Sequence, residues 1–405
     1  MKVVHYARGE RQRPALWMVT AALRNASSFA MGLLDGIVPK RRHRVVLSSD
    51  KGNKFNGNPR YLFEYLASQP DWDPYWLSNS SDIRREINAR FPGRALPAWS
   101  LGALAKGLSA QWLAFSHSRY DLGWFAYLKE PRFIYLNHGV PLKTMGYDKA
   151  YHDPSTANAA KGMGAVTCCS EFEATLWARA YGLPIERMWV TGVPRNDRLF
   201  VRDPKLLERL AVRPNQRVIL FAPTYRESGL LPNYLPVPGL DAAALVEVLR
   251  KHDAVLLIRP HYYEWAAARE LVERIGSEHL RTADEHAVPE VNELLPLTDV
   301  LITDYSSIFF DFLLLDRPIL FSCHDREAYQ RERGFTIDYD SNTPGFKVTT
   351  PDQFLEALDR LLSGDDPHGA FRAEVRKRFH RYTDAHSAER VAKRIEQPLA
   401  SPSIA

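Results

Sequence analysis

The feature that most constrains this chain is an alternation. Short, near-continuous apolar runs, each ending in small polar residues, are separated by stretches of helical character. RVVLSS (44–49), RFIYLNHG (132–139), AVTCCS (165–170) and MWVTG (188–192) read as strands, as do RVILFAPTY (217–225), AVLLIRPH (254–261), DVLITDYS (299–306) and PILFSC (318–323). Helices are expected over 171–181, 241–251, 264–275 and 307–315. Strand–helix alternation builds parallel sheets wound by helices. Runs such as VLLI and VLIT, apolar throughout, suit a sheet covered on both faces. A polar, proline-bearing break over 195–216 separates two such sets. The expected fold class is α/β, with two doubly wound Rossmann-like domains facing across a cleft. The expected organisation is a basic amphipathic segment over 1–43, an N-terminal Rossmann-like domain over 44–195, a C-terminal Rossmann-like domain over 196–385 and a tail over 386–405.

Composition narrows the class further. Of 405 residues, 45% are hydrophobic and 25% charged, which excludes a disordered or fibrous chain. The three cysteines, Cys168, Cys169 and Cys323, form no CxxC, so neither a zinc ribbon nor a secreted disulfide framework is expected. A reducing cytoplasm fits best. The net charge of +5 is uneven: residues 1–60 hold 12 Lys or Arg against three Asp or Glu, or +9, leaving −4 for the remainder. Within 15–38, Arg24, Asn25, Ser27, Ser28 and Asp35 make a poor membrane span, and no compact cleavage pattern marks a signal peptide. Leu16, Val19, Leu23, Ala26, Ala30, Leu34 and Ile37 share a helical face between cationic flanks. Such a helix either packs on the protein's own core or lies on an anionic bilayer. Residues 94–113, apolar with Arg94 and Lys106, are a second segment of this kind. The KRRHR run lacks interleaved aromatics, so nucleic acid is not an expected partner.

In open α/β sheets a ligand sits beyond the carboxyl ends of the strands. Five strand ends therefore carry the chemical reading. His138 follows FIYLN, with Gly139 to turn the backbone and Pro141 to fix the next turn; an imidazole there can accept a proton near neutral pH. Arg259 and His261 follow AVLLI and suit a phosphate. Ser306 and Ser307 follow VLITDY and open a helix whose free N–H groups favour an anion. Asp311, one turn on, would repel phosphate and instead suits a ribose or base hydroxyl or a neighbouring cation. Pro223, Thr224 and Arg226 follow VILFA, and Arg195 follows MWVTGVP. Their sum is a cleft of excess positive charge, suited to a diphosphate with a hydroxyl to be deprotonated. No GxxxxGK[ST] and no GxGxxG is present, which disfavours a P-loop NTPase and a nicotinamide enzyme. No carboxylate cluster suggests a Mg²⁺ cage; neither metal nor cofactor is expected.

These residues resemble a known family. LITDYSSIFFDFLLLDRPILF and the following HDREAYQRERGFTIDYDSNTPG are similar to the signature block of the CDP-glycerol glycerophosphotransferases of teichoic-acid synthesis. NHGVPLKTMGYD resembles their HG-x-P-x-K-x-x-G-x-D segment, and GVPRND, APTYR and RPH follow in the family's order. The resemblance covers about 130–346. It implies a GT-B fold and transfer of glycerol phosphate, or another polyol phosphate, from a CDP-activated donor to a hydroxyl of a lipid-linked acceptor, with release of CMP. It implies donor contacts at His138, Gly139, Pro141, Arg195, Pro223, Thr224, Arg259, His261, Ser306, Ser307 and Asp311. His138 is the expected general base, and His261 with Arg259 the expected stabilisers of charge. The implied location is the cytoplasmic face of the cell membrane, peripherally bound to anionic lipid. One departure stands out: many members carry Trp before the His–Gly pair, and this chain has Asn137. Three rivals remain: a CDP-ribitol-dependent transferase, a GT-B sugar-nucleotide glycosyltransferase, and an idle nucleotide-binding subunit that recruits partners to the membrane.

Overall fold

The computed structural model describes residues 31–128, 132–144, 163–224, 235–260 and 264–397. Two parallel sheets dominate them. The first contains β1 (Arg41–Leu47), β2 (Asp73–Ser78), β3 (Ala95–Pro97), β4 (Ala110–Phe115), β5 (Phe133–Tyr135), β6 (Met163–Cys168) and β7 (Met188–Val190), in the order β3-β2-β1-β4-β5-β6-β7. The second contains β8 (Arg217–Phe221), β9 (Ala254–Ile258), β10 (Leu280–Thr282), β11 (Val300–Thr303), β12 (Ile319–Ser322) and β13 (Phe346–Val348), in the order β10-β9-β8-β11-β12-β13. Every pairing is parallel. In both sheets the order reverses beside the first strand, at β1/β4 and at β8/β11. A doubly wound sheet opens its ligand crevice at that place.

All eight strands read from the sequence are present, with their polar ends released into loops. Five were not foreseen. β3, β10 and β13 are three-residue edge strands, too short to show a period. β2 starts in DPYWLS, where Pro74 masks it. β4 lies inside the stretch read as a second amphipathic segment. Residues 94–113 are in fact strand, helix and strand: Ser100 caps the helix Leu101–Leu108 by accepting the Ala103 N–H, and Ser109 ends it. The reading of 94–113 as one helical segment is thereby corrected. The expected helix over 307–315 is present as Ile308–Phe312 and a 3-10 turn, Leu313–Leu315.

Apolar clusters cover both faces of each sheet. The segment expected as a tail contains the helix Ser387–Glu396, and residues 398–405 lie outside the described residues. This helix returns to the first sheet: Ala388, Val391, Ala392 and Ile395 join Val45, Leu47, Leu62 and Trp112 in one core. Trp112 Nε1 donates to the Ile395 carbonyl at 3.2 Å. Burial of that stripe holds the helix down, because charged residues alone occupy its other face. Among the described residues no helix is long and apolar enough to cross a membrane. Of the N-terminal stripe, residues 31–37 are described and helical; Met31 is buried while Leu33, Leu34 and Ile37 are exposed. Ile395→Ala should lower the unfolding free energy by roughly 2–5 kcal/mol, read from the denaturant midpoint; an unchanged midpoint would show that the helix is not part of the cooperative core.

Candidate active site between the two sheets

Beyond β5 the chain turns sharply. Asn137 is buried and left-handed, with φ +48°. Its Oδ1 accepts the Gly139 N–H at 2.9 Å and its Nδ2 donates to the Thr167 carbonyl at 2.6 Å. Asn tolerates this conformation better than any residue but Gly, and its side chain bonds the backbone two residues on. Asn137 is thus a turn-former at this position. The turn directs His138 into the cleft.

His138 Nδ1 lies 3.2 Å from the Ser116 carbonyl and 3.0 Å from Tyr135 Oη. A carbonyl only accepts, so Nδ1 carries the proton and Nε2 keeps the basic lone pair. The residue is exposed to solvent in the cleft, and its ring is flanked by His117, Tyr135 and the Ser116 carbonyl. Desolvation first, then the charges of His117, Arg195 and Lys143, depress its pKa to about 4, against a smaller opposing effect of the Ser116 bond. The imidazole is therefore neutral at pH 7, the form a general base requires.

Gly139, with φ +144°, is where the two domains touch. A Cβ there would stand 2.6 Å from Ser307 Oγ and 3.5 Å from Arg195 Nη2. The following residues enter the other domain. Pro141 is buried, and Val140 and Leu142 belong to the core beneath β8 and β11. Lys143 forms an antiparallel bridge with Phe335, and Thr336 donates its N–H to the Leu142 carbonyl at 2.9 Å.

Arg195 spans the junction. Nη1 donates to the His138 carbonyl at 2.8 Å, and Nη2 pairs with Asp311 Oδ2 at 2.7 Å. Its backbone N–H donates to Asn58 Oδ1 at 3.0 Å. Of the alternatives open to Asp311, the neighbouring cation is the one realised. Thr224 donates its N–H to Asp304 Oδ1 at 2.8 Å, joining the ends of β8 and β11 across the reversal point, with Pro223 beside it. Ser306 and Ser307 lie half-buried at the start of the short helix, Ser307 against Gly139. Arg259 stands just past the end of β9. Its Nη1 donates to the carbonyls of Ala283 (3.0 Å) and Val288 (2.7 Å), so it braces the loop after β10. Burial lowers its pKa, against the opposing charges of Glu285, Glu290, Asp284 and Glu293. His261 and Arg226 lie outside the described residues. His138, Gly139, Arg195, Ser307 and Asp311 are thus brought together; Pro141 and Ser306 lie near them in the chain, and Thr224, after Pro223, is bonded to Asp304 just ahead of Ser306.

Sequence reasoning missed a second set of contacts across the cleft. Lys54 pairs with Glu285 at 2.7 Å, the Gly57 N–H donates to Glu290 at 2.5 Å, and Arg60 pairs with Glu293 at 3.3 Å. No local pattern signals pairs separated by more than two hundred residues. The cleft is therefore a lattice of paired charges and less purely positive than the residue types implied. Also missed was the end of β4, where Ser116 and His117 follow WLAF. The signal is the same as at the other strand ends, but the run overlaps the stretch 94–113, whose apolar character reads as one amphipathic segment.

The arrangement has known counterparts. A family model described as CDP-Glycerol:Poly(glycerophosphate) glycerophosphotransferase matches residues 31–397. The chain belongs to this family. A teichoic acid poly(glycerol phosphate) polymerase of Bacillus spizizenii is 30% identical over 345 residues, covering 80% of this chain and 85% of that protein. A teichoic acid ribitol-phosphate polymerase, TarK, of Staphylococcus aureus is 30% identical over 369 residues, covering 87% of this chain and 68% of that protein. The solved structure of the wall teichoic acid polymerase TagF superposes with a TM-score of 0.73 at 22% identity, covering 94% of this chain and 95% of that one. That likeness shows the fold: GT-B, two Rossmann-like domains. The chain is an enzyme of the glycerophosphotransferase class. Gly139→Ala should destabilise the domain junction by about 1–3 kcal/mol, because φ and space are both unsuitable for a side chain. A thermal midpoint equal to that of the unaltered protein would contradict the close approach of Gly139 and Ser307.

Proposed function

We propose that this chain transfers glycerol phosphate from CDP-glycerol to a terminal hydroxyl of a lipid-linked acceptor, releasing CMP, with the reaction centred on His138. The observation that carries the reading is the meeting of His138–Gly139 with Arg195, Asp311 and Ser307 where the strand ends of both sheets converge. The donor's pyrophosphate lies on the side of the second sheet, near Thr224, Ser306 and Ser307. The acceptor oxygen attacks the β-phosphorus, a new P–O bond forms, and the bond to the bridging oxygen breaks. The hydroxyl proton passes to His138 Nε2, and the electron pair leaves with CMP. Arg195 and Lys143 offset the charge on the phosphoryl oxygens, and His261 is assigned the same task from its sequence position. Phosphoryl transfer requires chiefly positioning and charge stabilisation.

His138→Ala should lower turnover by about 10² while CDP-glycerol still binds, as measured by CMP release and calorimetry. CMP release near the unaltered rate would remove His138 from this role. A depressed pKa also sets the pH profile. His138 is neutral, hence basic, above about 4. Without a bound anion, kcat/KM should persist at pH 6, where an ordinary histidine is largely protonated, and fall only as pH drops towards that value. An acid limb already complete at pH 6 would contradict the environment described. The TarK likeness favours a second donor, CDP-ribitol; supplying both donors with a lipid-linked acceptor separates the two by product mass.

The reading includes peripheral attachment to an anionic membrane at its cytoplasmic face. Leu33, Leu34, Ile37, Trp99 and Leu101 are exposed. The segment carrying the first three is pinned to the end of the helix Leu101–Leu108, where Lys40 donates to the Leu108 carbonyl at 2.7 Å and Arg132 bonds both Asp35 and Gly107. Lys40, Arg41 and Arg42 follow Ile37 closely in the chain, and Lys106 lies on the helix that begins at Leu101. Apolar side chains beside cations suit an anionic bilayer. Ile37→Asp with Leu101→Asp should abolish flotation with anionic liposomes; flotation equal to the unaltered chain would reject this surface.

A further inference from the structure

We infer that His117 is an acceptor-side residue of this reaction, placed to hold the incoming acceptor hydroxyl beside His138. The inference rests on the transfer reaction proposed above. His117 stands two residues beyond β4, at the β1/β4 reversal of the first sheet, the position where a doubly wound sheet receives a ligand. Its ring is exposed and lies parallel to that of His138, with centroids 5.2 Å apart and planes 11° apart.

The surroundings hold this ring in place. Nδ1 lies 2.9 Å from Ser116 Oγ, which lies 3.1 Å from Ser49 Oγ, which donates to Asn56 Oδ1 at 2.7 Å. Beneath, the buried Asp121 gathers three backbone donors. Lys51 N–H reaches Oδ1 at 2.9 Å, and His117 and Ser118 N–H reach Oδ2 at 3.2 and 3.3 Å. The turn that brings Lys51 there is strained, with Asp50 and Lys51 at φ +44° and +55°. Non-glycine residues rarely adopt such angles, and they do so at sites whose geometry is otherwise determined.

Chemistry supplies the role. In-line transfer needs the attacking oxygen on the side of the phosphorus opposite the leaving group. The chain leaving His138 leads through Gly139 to Ser307 and Arg195, the donor side. His117 covers the other flank, open to solvent at the sheet's own crevice. An acceptor hydroxyl bound to His138 Nε2 along that route passes the second imidazole, which can donate to or accept from it.

The test uses the full chain, CDP-glycerol, and a short-chain lipid ending in glycerol phosphate. His117→Ala should cut transfer to this lipid at least about 10-fold, while the Kd of CDP-glycerol from calorimetry stays within about twofold. His117→Gln, which keeps a polar group near Nε2, should recover part of the loss. Transfer unchanged in His117→Ala overturns the inference. So does a loss of CDP-glycerol affinity as large as the loss of transfer. Because the ring is exposed, both variants should melt with the unaltered protein; should His117→Ala melt lower, His117→Gln carries the same comparison. A different result, no CMP from either CDP-polyol with the unaltered protein, would refute the reaction itself.

Discussion

One guanidinium holds the two halves of this molecule in register. Arg195 bonds the carbonyl of His138 in the first domain and the carboxylate of Asp311 in the second, and the Arg195 and Asp311 side chains are largely buried. A buried ion pair adds little net stability over an apolar equivalent, yet losing one partner leaves an uncompensated charge and costs about 3–5 kcal/mol. Such a pair therefore enforces position more than it adds stability. It keeps the His–Gly turn against Ser307, and Gly139 is the residue that allows the approach.

The lattice of paired charges around Arg195 has a consequence for the proposed chemistry. Arg259 feels the opposing charges of four carboxylates, and Lys54 and Arg60 are paired across the cleft. What remains near His138 is enough cationic character, with desolvation, to keep it unprotonated. A bound pyrophosphate would oppose that effect and raise the basicity of Nε2 as the donor arrives. In the proposed reaction, the base would gain strength when its substrate is in place.

Particular residues show how far reading the sequence reached. The runs around Val46, Ile219, Leu256 and Ile302 named their strands because parallel strands covered on both faces are apolar without interruption. His138, Gly139, Arg195, Ser307 and Asp311 were legible because each stands just beyond, or one turn past, such a run. Arg259 was legible as a strand-end arginine, but its bonds to the Ala283 and Val288 carbonyls were not, since a strand-end arginine bonded to carbonyls has the same sequence as one bonded to phosphate. Asn137 carried no sign of its left-handed turn until its bonds to Gly139 and Thr167 were visible. The return of Ser387–Glu396 to the first sheet was equally invisible, since an amphipathic stripe names a buried face but no partner for it.

Local pattern alone determined the α/β class, the two wound sheets and the positions of the candidate strand ends, because hydrophobic period and turn chemistry act between near neighbours in the chain. Only the tertiary structure decided which strand ends meet, that Asp311 pairs with Arg195, that Glu285, Glu290 and Glu293 reach across to Lys54, Gly57 and Arg60, and that His117 stacks on His138. Those contacts join residues tens to hundreds of positions apart, and charge and hydrogen-bond energies depend on distances that no sequence spacing specifies.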